Sequence, residues 1–171
     1  MKGTLKKLAV FKKPICTLSI LCTFTFILFI VAAQAAEPID CVVCQDMTMT
    51  TTVQTGDLII MGYEAKGIVL DNMESKVWDS DTVHSVGMIK IERGKLTGSY
   101  INKHVDPNGD FYVLEGTLVG RDSSFKFIYG TGKFIGITGG GKTITFTKGK
   151  SVSPATSQSC SKVTGTYELG K

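Results

Sequence analysis

Histidine is almost missing from this chain. Only His84 and His104 occur in 171 residues, on separate stretches of sequence. No Ser/His/Asp or Cys/His constellation can be assembled from so few rings, and no His/carboxylate spacing marks a metal site. Both imidazoles are expected on the surface. Amphipathic helices are missing too, since no apolar period of 3.6 residues persists beyond two turns and only Glu74 to Asp81 could bend into one. A surplus of positive charge is also absent once the N-terminus is set aside. The chain has 19 basic and 15 acidic residues, but five lysines (Lys2, Lys6, Lys7, Lys12 and Lys13) fall in the first 36 residues, leaving 14 against 15. That balance gives no electrostatic footprint for nucleic acid.

The first 36 residues have the layout of a secretory signal peptide. A lysine-rich start leads into an apolar stretch from Ile15 to Ala33, and Ala33-Gln34-Ala35 has the small-x-small form of a cleavage site. The expected product is periplasmic or secreted. The apolar stretch is long for a leader, so an N-terminal membrane anchor is the alternative. Residues 37–171 are enough for one domain with a core and too few for two.

What is present in abundance is β-type patterning. Strands are expected around Met47–Val53, Leu58–Leu70, Val83–Glu92, Leu96–Val105, Phe111–Val119, Phe125–Tyr129, Lys142–Thr147 and Val163–Leu169. Ile144 and Phe146 alternate with Thr143, Thr145 and Thr147, which reads as apolar-in and polar-out; Val163, Gly165, Tyr167 and Leu169 form a second such row. Leu96-Thr97-Gly98-Ser99-Tyr100 and Val163-Thr164-Gly165-Thr166-Tyr167 echo one another, as glycines placed opposite large rings on a barrel wall would. The loop-like Ser151–Ser159 is placed to cover one mouth. Strands joined mainly by short turns favour an all-β fold, a single closed antiparallel up-and-down barrel of about eight strands. A β-sandwich is the alternative.

Gly136 to Thr143 satisfies the phosphate-loop pattern G-x-x-x-x-G-K-[ST]. A phosphate loop must open a helix, whose N-terminal amides hold the phosphate. The continuation here is Thr-Ile-Thr-Phe-Thr, a strand, so the glycines are assigned to a turn or bulge and no nucleotide is expected. Asp106-Pro107-Asn108-Gly109-Asp110 opens like a calcium loop, yet its glycine is fourth rather than sixth and Thr117 stands where the last glutamate should. It is read as a hairpin turn.

Cys41, Cys44 and Cys160 remain after the leader. In an oxidising compartment Cys160 is expected to bridge to Cys41 or Cys44, because first and last strands are neighbours in an up-and-down barrel. A competing use joins Cys41, Cys44, Met47 and Met49 as four soft sulfur donors for copper.

The run GTGKFIGITGGG from Gly130 to Gly141, preceded by DPNGDFYVLEG, is similar to a motif of uncharacterised exported bacterial proteins. Those proteins resemble the allene oxide cyclase and dirigent barrels. The resemblance spans about Asp106 to Thr147 and implies an eight-stranded barrel around an apolar cavity. It carries no catalytic residue to this chain.

Three functions follow as expectations. The first is a barrel that binds a hydrophobic or amphipathic small molecule, with no cofactor required. The second is a cyclase or isomerase using an interior Glu64 or Glu115 with Tyr63 or Tyr100. The third is a structural or envelope protein whose barrel is filled by Phe111, Phe125, Phe127, Phe134 and Phe146. A homo-oligomer is compatible with each.

Overall fold

The computed structural model describes residues 35–170, so the leader, apart from its last two residues, lies outside the described part. Eight strands form one closed barrel, each hydrogen-bonded to its sequence neighbours and the first to the last. They are β1 (Glu37–Thr55), β2 (Leu58–Asp71), β3 (Thr82–Glu92), β4 (Lys95–Val105), β5 (Phe111–Val119), β6 (Asp122–Gly130), β7 (Thr138–Lys148) and β8 (Thr156–Glu168). Every neighbouring pair is antiparallel, which makes the up-and-down barrel expected above, and the sandwich alternative is set aside. Among the described residues no helix is long and apolar enough to cross a membrane. Glu74 to Asp81 forms turns, and among the described residues the only helical piece is a 3-10 turn at Gly132–Phe134, between β6 and β7.

The two ends of the barrel are built differently. One carries three two-residue hairpins and the seven-residue β7–β8 connection, residues 149–155. Between β3 and β4, Arg93 and Gly94 both take positive φ (51° and 75°), the conformation that matches strand twist in a two-residue turn. The other end is closed by longer connections, residues 72–81, 106–110 and 131–137. There Trp78 stacks on Phe127 and Phe134 at centroid distances of 5.9 and 5.6 Å and meets the edges of Tyr112 and Tyr167 at 5.1 and 4.8 Å. These rings form a dense apolar floor together with Val69, Val83, Ile137 and Val163.

The glycine-rich run is strand rather than phosphate loop. Thr138 onward belongs to β7, and a Cβ at Gly140 or Gly141 would come within 2.2 Å of the Phe125 or 2.1 Å of the Thr164 carbonyl oxygen. Only glycine lets β7 lie this close to β6 and β8. In the Gly98 and Gly165 echo, the glycines face neighbouring backbone. The ring-over-glycine packing occurs elsewhere, with Tyr63 across Gly87 and Tyr100 across Gly116.

β7 corrects one expectation. Thr143 and Thr145 line the interior, while Ile144 and Phe146 stand on the outer wall, more than half exposed. Phe111 is likewise on the outside, where it packs against Tyr129 and under the Lys103 ammonium. Of the five phenylalanines expected to fill the barrel, Phe125, Phe127 and Phe134 are in the core.

β1 begins at Glu37, so the cysteine pair is part of it. Cys44 sits opposite Cys160 of β8, and the two form a disulfide across 116 residues of chain. Cys41, an odd number of positions away, points inward and is a buried free thiol. The bond ties the first strand to the last, the one pairing no hairpin enforces. Replacing Cys44 and Cys160 together by serine is expected to lower unfolding stability by about 2–5 kcal/mol. Urea denaturation reads this directly, and an unchanged midpoint would mean that strand pairing alone closes the barrel.

Candidate functional site

Inward positions follow from the two-residue period of each strand. Odd-numbered residues of β1, β2, β3, β7 and β8 and even-numbered residues of β4 and β5 face the interior, and together they enclose a cavity of about 160 Å³. Part of its lining is apolar, with Trp78, Tyr112, Leu114, Phe127 and Val163. The rest is rich in hydroxyls and amides, including Ser85, Asn102, Ser123, Thr143, Ser159 and Gln45. Small residues on β2 keep this part open. Ala65 is inward and Gly67 carries no side chain, so the Gln45 side chain lies directly over it.

The sequence candidates divide across the barrel wall. Tyr63 and Tyr100 line the cavity, and burial raises both phenols above their usual pKa. Tyr100 Oη and Ser123 Oγ share a hydrogen bond of 3.1 Å. Glu64 and Glu115 are outside, with side chains 54% and 45% exposed. Glu64 pairs with His84 and Lys66, and Glu115 with Lys126 at 2.8 Å. Neither glutamate can act on a molecule in the cavity.

The soft sulfur set is divided in the same way. Met47 and Cys41 line the cavity, whereas Cys44 is on the outer face and spent in the disulfide. Burial, reinforced by Asp71, Asp40 and Asp81, pushes the Cys41 thiol up to about 12, so it carries no thiolate at neutral pH. Among the described residues no three His, Cys, Asp or Glu side chains gather as a metal cluster.

His104 is the main departure from expectation. His84 is exposed as anticipated, but His104 is buried inside the barrel and stacked on Tyr112 at 4.7 Å. Neither ring nitrogen has a hydrogen-bond partner, and burial lowers its pKa to about 3. Gln45 Nε2 and Asn102 Oδ1, on two other lining residues, are also unpartnered. No sequence pattern marked this group, since Asn102 and His104 flank Lys103 in a largely polar strand and Gln45 precedes Asp46.

Beneath the floor lies a carboxylate cluster that sequence reasoning missed. Asp71 Oδ1 accepts the Met73 N–H at 2.8 Å and its Oδ2 accepts the Trp78 N–H at 3.0 Å, fixing the 72–81 connection. Asp106 accepts the N–H groups of Asn108 and Asp110 and pairs with Lys133 at 2.9 Å. Burial works against the Asp106 charge, but Lys133 and those N–H groups hold its pKa below the usual range. This is the hairpin turn expected from Asp106 to Asp110. Asp81 is fully buried and neither oxygen has a hydrogen-bond partner. Burial raises its pKa to about 7; the nearby Tyr112 hydroxyl and Lys133 oppose the shift, and Asp106 and Asp71 add to it.

No protein-family model matches the chain, and no curated protein matches it. Among solved structures it is similar to a pterocarpan synthase dirigent protein, with a TM-score of 0.44 and 11% identity over 80% of this chain and 94% of that one.

Asp81 and His104 bend the pH dependence of stability in opposite directions. A carboxyl raised from 3.8 to about 7 binds its proton more tightly in the fold, so its contribution is present at low pH and lost as pH rises towards 7. An imidazole lowered from 6.5 to about 3 stays neutral in the fold, so its contribution is lost as pH falls below 6.5. The two slopes oppose each other between pH 4 and 6.5. Asp81→Asn is expected to make stability rise with pH across this window by a few kcal/mol, and His104→Phe to make it fall. Denaturant midpoints at pH 4, 5, 6 and 7 test this; parallel profiles for wild type and both variants would refute it.

Proposed function

We propose that this chain is an exported barrel that binds a small amphipathic molecule inside its cavity. The observation that carries the reading is the cavity itself, with an apolar floor and three lining residues whose polar atoms lack partners. Each buried unpaired group costs about 1–3 kcal/mol, and a bound molecule would offset that cost by supplying the missing hydrogen bonds. The Cys44–Cys160 bond supports an oxidising compartment.

The cyclase or isomerase reading has less support, because both of its glutamates lie outside. Asp81 is the one buried carboxyl with a strongly raised pKa, and it does not line the cavity. The filled-barrel reading is weakened by the remaining 160 Å³ and by Phe111 and Phe146 standing outside.

Protein exported by its own host, analysed by native mass spectrometry, is expected to carry extra mass that disappears on denaturation. Ser159→Leu, which places a larger side chain among the lining residues, is expected to lose that mass while remaining folded. A bare native mass, shifted only by the two hydrogens of the disulfide, together with no response to added small molecules, would overturn the reading.

A further inference from the structure

We infer that the cavity selects an uncharged molecule of single-ring size that carries both a hydrogen-bond donor and an acceptor, as a carboxamide or lactam does. This rests on the binding reading above and specifies its ligand class.

Size sets the first limit. A cavity of about 150 Å³ holds one benzene ring, and drug-sized ligands occupy roughly 300 Å³ or more. The 160 Å³ here therefore admits a single ring with a short substituent.

Charge sets the second. No Asp, Glu, Lys or Arg lines the cavity. The titratable groups that do are His104, Cys41, Tyr63, Tyr100 and Tyr112, and burial drives each towards its neutral form. An ion entering this space would lose its hydration and meet no counter-charge, a cost that exceeds what ordinary hydrogen bonds return.

Hydrogen-bond complementarity sets the third. Gln45 Nε2 needs an acceptor and Asn102 Oδ1 needs a donor. The neutral His104 ring presents one N–H and one bare nitrogen, both unpartnered, so it needs one of each whichever way the two amides are turned. Asn102 and His104 occupy successive inward positions on β4, about 7 Å apart along the strand, so this demand is concentrated on one stretch of wall. A hydrocarbon satisfies none of these atoms. A carboxylate supplies acceptors alone. An amide presents N–H beside C=O and satisfies both kinds.

The test uses four probes of nearly one shape, titrated into the whole exported protein by calorimetry at pH 7: benzamide, benzoate, acetophenone and ethylbenzene. Benzamide is expected to bind at least tenfold more tightly than the other three, and Asn102→Leu to reduce it to the level of acetophenone. Equal or tighter binding of benzoate would overturn the charge argument and leave cavity binding standing. Equal or tighter binding of acetophenone or ethylbenzene would overturn the donor–acceptor argument and likewise leave cavity binding standing. No binding of any probe would overturn the single-ring amide inference, and the native mass of the exported protein would then decide the binding reading separately. The series in the unaltered protein decides between these outcomes even where Asn102→Leu fails to fold.

Discussion

The packing of one indole governs the closed end of the barrel. Trp78 lies between Phe127 of β6 and Phe134 of the 131–137 connection, with Tyr112 of β5 and Tyr167 of β8 at its edges. Its position depends on Asp71, whose carboxylate receives the backbone N–H groups of Met73 and Trp78. Lys76 and Ser80 hold positive φ of 51° and 64° in the same connection, conformations that non-glycine residues adopt only when their surroundings impose them. Lys133 then joins the three closing segments, bonding the Val77 carbonyl, the Asp106 carboxylate and the face of Phe134. With this end sealed, the space above it becomes a pocket with a floor.

The interior combines two kinds of wall because the barrel solves two problems at once. Aromatic rings fill the taper at the sealed end, where shape complementarity and burial give most of the stability. Further up, side chains become small and polar, and several hydroxyls satisfy one another, as Thr145 and Ser161 do at 3.1 Å. Gln45, Asn102 and His104 break this pattern of mutual satisfaction. Buried polar atoms are usually paired, so these exceptions are the observation on which the proposed binding rests.

Period was legible in the sequence and phase often was not. All eight strands were visible from alternation and turn residues, and the phosphate loop was rejected because a strand followed it, although Gly139 to Gly141, expected in a turn or bulge, belong to β7 itself. Alternation reveals that two faces differ, but it does not say which is inside when the interior itself is partly polar. Hence β7 was read inside out: its threonines face the cavity and Ile144 and Phe146 face outward. The surface expectation for His104 rested on the usual exposure of imidazoles and fails here, and Glu64 and Glu115 are candidates for an interior they do not reach. Asp81 could not have been found from pattern at all. Its burial comes from a connection of irregular backbone folding under the barrel, which has no sequence period.

The spacing of Cys41 and Cys44 ties the choice of disulfide to the register of the first strand against the last. Three positions is an odd number, so the two thiols project from opposite faces of β1. A bond from Cys41 to Cys160 would drag β1 by three residues against β8 and turn its inward side chains out. Such a mispaired chain would turn Ile39, Val43 and Gln45 out of the barrel interior and Cys44 into it. In the correctly paired chain the leftover thiol is Cys41, buried in the wall and fully protonated at neutral pH. Which cysteine is used therefore goes with the register of β1, and the register decides which face of that strand enters the barrel.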